Sequence, residues 1–319
     1  MTDADPIAPD PTAPDPRLAL AWRVTPATVD FILNTETASR NTRDLVDGLL
    51  FAAIQAANVS AINNDPDLQL AYATLLAAPP DELRRPVSVS AIAHSLRMPF
   101  ETARRRVQAL VKIGALDATP KGILVSQRSL GQHEFLHNVF LRHEMLKTFY
   151  LEVRDLGLPP PGPAGPATSL EDPPVRLTNR LIWEYMLRVA DVLGAAVGDA
   201  TNGVILLAMI RGNTGGFAPG QLAAWTRDPL ALAVPVRNRR LADELNFSSE
   251  TMRRYVIALE SQGLCMRGPR GLVAVAPPTL RSALDRMVLD NLANLQRLFG
   301  RLRQFGVLSM WDDPAVAAR

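Results

Sequence analysis

ETARRRVQAL at residues 101–110 and ETMRRYVIAL at residues 250–259 share seven of ten residues. Working outward from this pair, residues 86–127 align without a gap on residues 235–276, 149 positions later, and fourteen of the 42 aligned pairs are identical. Gly114 with Gly263, Pro120 with Pro269 and Gly122 with Gly271 complete the frame. The register persists downstream, where Val139, Leu146, Arg154 and Gly157 match Val288, Leu295, Arg303 and Gly306. An internal repeat fixes the unit on which any further reading is made, and here that unit is a whole domain.

In each copy a short helix (residues 90–96 and 237–245) is followed by a tight turn and a longer helix (100–113 and 248–262). Glycine closes each longer helix, as expected at a helix C-terminus. Two short strands follow, 116–118 with 123–125 and 265–267 with 272–276, around a glycine-containing turn. Flanking helices are predicted at 43–57, 66–78, 130–156, 178–197, from 204 onward, and at 279–305. The expectation is a mainly α fold with small β-wings: two tandem winged helix-turn-helix domains flanked by long helices, in a pseudo-twofold internal repeat. Residues 1–17 read as a disordered acidic, proline-rich tail, 18–157 as the first domain, 158–176 as a proline-rich linker, 177–306 as the second domain and 307–319 as a C-terminal tail.

The bulk numbers exclude several classes. The longest apolar run, residues 204–210, is far short of the roughly 20 residues of a membrane helix, so no membrane partner is expected. A single cysteine excludes an intramolecular disulfide and fits a reducing cytoplasm. Net charge is only +2, but residues 86–127 carry +4 and residues 235–277 carry +3, leaving −5 on the remainder. Positive charge gathered on two matched modules is an electrostatic footprint of nucleic-acid binding.

The longer helices divide into two faces. Ala103, Val107 and Leu110, and in the second copy Met252, Val256 and Leu259, face a core. Glu101, Arg104, Arg105, Gln108 and Lys112 lie opposite, as do Glu250, Arg253, Arg254, Ile257 and Ser261. A helix that reads a major groove needs this division. Arginine can donate two hydrogen bonds to guanine, glutamate can accept from cytosine, and Thr102 and Thr251 can reach a phosphate or a thymine methyl. Lys121 and Arg270 at the wing tips are placed for backbone phosphates, and Arg237, Arg239 and Arg240 add a basic cluster to the second copy only. The predicted partner is double-stranded DNA, and the predicted role is sequence-specific, non-enzymatic transcriptional regulation at the nucleoid.

On these two phrases, each followed by a glycine and a strand, the chain resembles bacterial winged helix-turn-helix regulators of the MarR and IclR types. The resemblance implies flanking helices that form a dimer interface, so that the chain is a fused pseudo-dimer or a homodimer through those helices. Two other readings stand beside it: a plasmid-type replication initiator, and a winged-helix protein–protein module of a chromosome-organisation complex.

Residues 133–137 spell HEFLH, a pattern that sets two imidazoles on one helix face beside a general base, with His143 nearby. The equivalent residues 282–286 read SALDR, so the motif is not part of the duplicated unit. No metal or other cofactor is expected; His133, His137 and His143 are the residues that would ligate one. Cys265 aligns with Leu116 and reads as a buried structural thiol. Trp183, Tyr185 and Trp225 read as core or interface residues, with a pocket between helices as the other use for them. An effector ligand is left unspecified.

Overall fold

The computed structural model describes residues 15–40, 43–159, 162, 172–217, 221–225 and 228–312. Its principal helices are α1 (Pro16–Arg40), α2 (Leu45–Asn58), α3 (Val89–Ser95), α4 (Phe100–Lys112), α5 (His133–Asp155), α6 (Val175–Val197), α7 (Ala200–Thr214), α8 (Asn238–Glu244), α9 (Ser249–Ser261), α10 (Arg281–Gln304) and α11 (Val307–Asp312). Strands β1 (Leu116–Thr119) and β2 (Gly122–Val125) pair antiparallel, as do β3 (Cys265–Gly268) and β4 (Gly271–Ala274). The protein is therefore mainly helical, with two small two-stranded sheets.

The repeat keeps the same backbone geometry at its turns. Arg97 and Asn246, at the ends of α3 and α8, are the two non-glycine residues with positive φ among those described (52° and 54°). They allow Met98 N–H to reach Ala93 O and Phe247 N–H to reach Ala242 O, both at 2.8 Å, which satisfies carbonyls a helix end would otherwise leave bare. Gly114 and Gly263 do the same for α4 and α9, with φ of 73° and 70°. Gly122 and Gly271 start β2 and β4 with φ of 134° and 144°, and a Cβ on either would lie 2.7 Å from the carbonyl oxygen of Val87 or Val236. Only glycine fits that approach.

Each helix pair is seated by its apolar face. Ala103, Val107 and Leu110 of α4 and Met252, Val256 and Leu259 of α9 are all 2% exposed or less, and burying each of the larger ones contributes about 1.5–3 kcal/mol. Under each hairpin lies one buried asparagine. Asn58 Nδ2 donates to Arg85 O (2.8 Å) and Ile123 O (3.0 Å), and its Oδ1 accepts from Val125 N–H (2.9 Å). Asn213 repeats this with Val234 O (2.8 Å), Leu272 O (3.0 Å) and Ala274 N–H (2.8 Å).

The two halves share one central layer. Helices α1 and α5 from the first half pack against α6 and α10 from the second, α1 also lies on α7, and α6 lies on α2. Aromatic rings join the four: Phe31 of α1 stacks on Phe149 of α5 (centroids 4.4 Å apart, planes 3° apart), Tyr185 of α6 lies 6.3 Å from Phe31, and Phe299 of α10 lies 5.3 Å from Tyr150. The start of α6 is held by the first half as well, since Arg176 N–H donates to Ala73 O (2.8 Å) and Arg180 donates to Tyr72 O and Gln69 O.

Four sequence expectations change. Residues 16–40, unassigned or read as tail, form α1: Asp15 accepts from Arg17 N–H at 2.8 Å and Pro16 opens the helix, a favoured first-turn position for proline. The helix predicted over 66–78 ends at Ala71. The helix predicted over 130–156 is two, because Ser126 caps a separate turn at Gln127–Leu130 before α5 begins. The predicted C-terminal tail begins as α11, which buries Trp311 beside Tyr150. Most of the expected linker, and residues 1–14 of the expected tail, lie outside the described residues. Among the described residues no single helix is long and apolar enough to cross a membrane.

Candidate nucleic-acid interface

On α4, Glu101, Arg104, Arg105, Gln108 and Lys112 are exposed and Thr102 is half-buried. Arg104 Nε and Nη2 both donate to Glu101 Oε2, at 3.0 and 2.8 Å. On α9, Glu250, Arg253, Arg254, Ile257 and Ser261 are exposed and Thr251 is half-buried. Arg253 grips Glu250 as a fork, Nε to Oε2 at 2.9 Å and Nη2 to Oε1 at 2.8 Å. Hydrogen bonding to the carboxylates holds both arginines above their ordinary pKa, and the same bond holds Glu250 below the usual carboxylate range. Exposed pairs of this kind add little stability; their effect is to fix the guanidinium planes along the helix.

Arg105 and Arg254 make no ion pair among the described residues and are exposed, so the unneutralised cation occupies the same place in both copies. The third arginine of the first phrase has a different task. Arg106 turns inward to Asp44 (2.7 Å) and Asp47 (3.2 Å) at the start of α2. Burial works against its charge, but the two carboxylates outweigh it and hold its pKa above the ordinary value. Burial likewise pushes Asp47 up, against the pull of Arg106. In the second copy Tyr255 stands at this position, 5.5 Å from the Phe247 ring and beside Thr201 and Asp199.

Lys121 and Arg270 are exposed at the hairpin tips, and Arg237, Arg239 and Arg240 are exposed around the start of α8. Arg239 lies 3.8 Å from Asp243.

The two helix pairs adjoin through reciprocal contacts at their turns. Arg97 bonds Asp191 of α6 at 3.0 Å and Leu96 O accepts from Ala200 N–H, at the start of α7. Asn246 donates to Arg43 O at 3.1 Å, at the start of α2. Tyr255 of α9 lies within electrostatic reach of Asp44 and Arg106. Nothing in the sequence spacing announced these contacts; the positive φ of Arg97 and Asn246, two residues that tolerate it poorly or only sometimes, is what exposes them to the opposite half.

The remaining sequence candidates fall elsewhere. His133 and His137 are exposed on α5, whereas His143 is buried with Nδ1 2.9 Å from Thr178 Oγ1, so the three do not share a site. Cys265 is buried, and burial pushes its thiol up to about 12. Trp183, Tyr185 and Trp225 are all buried. No family model, no curated protein and no solved structure matches the chain.

Proposed function

We propose that this chain is a DNA-binding transcriptional regulator built from two winged helix-turn-helix units, with α4 and α9 as groove-reading helices and the hairpins as wings. The observation that carries the reading is the paired exposure of Arg105 and Arg254: each projects from a helix whose opposite face is buried at the same three positions and which follows the same turn. A structure that buried either arginine would have removed the argument. Arg237, Arg240, Lys112, Lys121 and Arg270 extend positive charge beyond both helices, in the positions where a duplex backbone would pass. Because Gln108 stands against Ile257 and Lys112 against Ser261, the two half-sites differ, and the operator is an asymmetric pair.

The test is a titration of operator DNA, found by selection from a random library, with the wild type and with Arg105→Ala and Arg254→Ala. Each substitution is expected to weaken binding by about 1–3 kcal/mol. The logarithm of affinity is expected to fall with the logarithm of salt at a slope of about −4 to −6, as several phosphates are neutralised. Binding unchanged in both variants, or no affinity at low salt, overturns the proposal. A second reading, units that dock a protein, rests on Ile257 (46% exposed) and Met266 (48%), which place apolar surface on the second unit where the first has none at the equivalent positions. A partner bound there would be released by Ile257→Asp and would be indifferent to salt.

A further inference from the structure

The duplication creates the same space twice, between the central layer, the helix that carries each asparagine clamp, and the helix that follows each hairpin. In the first half that space is filled. Trp183 enters from α6, with Arg142 over its ring at 5.5 Å, and leaves two small cavities, one of about 20 Å³ beside Phe51, Ala52, Gln55, Asn138 and Arg142 and one of about 40 Å³ beside Gln55, Val125 and Arg180. In the second half Leu206, Leu207 and Ile210 of α7 and Met287 and Asn291 of α10 occupy the equivalent positions, and the cavity is about 150 Å³. The arginine has become an asparagine whose Oδ1 accepts from Tyr185 OH at 2.8 Å, and the tryptophan that α1 supplies, Trp22, lines the wall with its Nε1 on Asp285 instead of filling the middle.

The hollow is apolar and nearly all its polar groups are occupied. Thr25 and Thr28 of α1 donate to Ala21 O and Val24 O, and Trp22 Nε1 donates to Asp285. One group is unspent: Trp225 is 5% exposed and lines the cavity, and its buried Nε1–H has no hydrogen-bond partner among the described residues. A buried N–H without an acceptor costs stability, and an acceptor placed in the cavity would remove that cost. Leu206, Ile210, Met287 and Val288 on the cavity wall are only half-buried, which leaves a mouth on solvent. A hollow of this volume with aliphatic walls is of the size known to hold a benzene ring.

We infer that the second half carries a binding site for a small, largely apolar molecule of about one ring with a single hydrogen-bond acceptor, which takes the Trp225 N–H. The first half has lost or never had the equivalent site, since Trp183 stands in it. The site also touches Leu264 and Ala274–Ala276, the segment between α9, the hairpin and α10, so an occupant would contact the second unit directly.

The test compares acetophenone, which carries one acceptor, with ethylbenzene, which has the same size and none, by calorimetric titration of the full chain. Acetophenone is expected to bind saturably and about threefold to tenfold more tightly than ethylbenzene, the range of one net hydrogen bond. Trp225→Phe keeps the apolar wall and removes the donor, and is expected to bring the two affinities together. Val288→Phe, filling the hollow, is expected to weaken both at least tenfold. Absence of saturable binding by either probe overturns the inference, as does a folded Val288→Phe protein with unchanged affinity. If Val288→Phe does not fold, an acetophenone preference that survives Trp225→Phe overturns it. No measurement here involves DNA, so its failure leaves the regulator reading where it stood.

Discussion

The first and second repeats are built on one plan but have diverged unevenly, and the pattern of divergence separates what the plan requires from what each half does. The asparagine clamp, the glycine at the hairpin and the outward arginine are the same in both. The seat of the long helix is not: Arg106 on two aspartates in one half, Tyr255 on Phe247 in the other. The helix after the hairpin differs more, with Arg142 and His143 buried in the first half where the second has Asn291 and Leu292. The retained asparagines and glycines answer to the backbone and the retained arginines to neither backbone nor packing; exchanged residues answer to side-chain volume and charge.

The strongest way to break this comparison is at the clamp. Asn58→Ala and Asn213→Ala each strand a buried N–H and one carbonyl (Val125 and Arg85, Ala274 and Val234), since Ile123 O and Leu272 O keep the N–H of Val87 and Val236, and each is expected to cost about 2–4 kcal/mol in urea unfolding. A large loss from one and none from the other would show that only one half depends on the clamp. Next, Gly122→Ala and Gly271→Ala force a Cβ against a carbonyl oxygen at a strained φ, at about 2–3 kcal/mol each; equal losses in the two would confirm that the hairpins are held alike.

Acid should divide the halves. His143 is kept neutral by burial and by Lys147, its pKa lowered from 6.5 to about 4, although Glu144 stands 4.0 Å away. Protonation therefore favours the unfolded chain: stability is complete above pH 6.5 and is lost as pH falls toward 4, by about 3 kcal/mol. His143→Leu, which imitates Leu292, is expected to flatten that part of a stability-versus-pH curve; an unchanged curve would assign the acid response to other groups. The smallest effect expected is from Arg106→Tyr, imitating the second half, which leaves Asp44 and Asp47 without their cation at a cost of about 1–2 kcal/mol.

Much of this was legible in the sequence because the repeat was legible. The faces of α4 and α9 follow from spacing alone, and Arg104, Arg105, Arg253 and Arg254 lie outward as that spacing requires. The upstream helices were harder. Asn58 and Asn213 do the same work 155 residues apart, not 149, because the connection from α2 to α3 is six residues longer than that from α7 to α8; a fixed offset passes over them. Helix α1 was masked by Pro26 within it and by the aspartates and prolines before it. The cavity was out of reach of any periodicity, since it depends on how far a tryptophan from a distant helix enters: Trp183 of α6 stands in the first space, whereas Trp22 of α1 only lines the wall of the second.

Because α1 reaches across to α7 and α6 reaches back to α2, neither half possesses a complete interior. Cutting the polypeptide within residues 160–171 would produce two fragments that gain order only upon meeting, in equal numbers, as reporter fragments do in a complementation assay. Tying them into a single translation product secures that equal supply, and it lets the two copies diverge while each still completes the other.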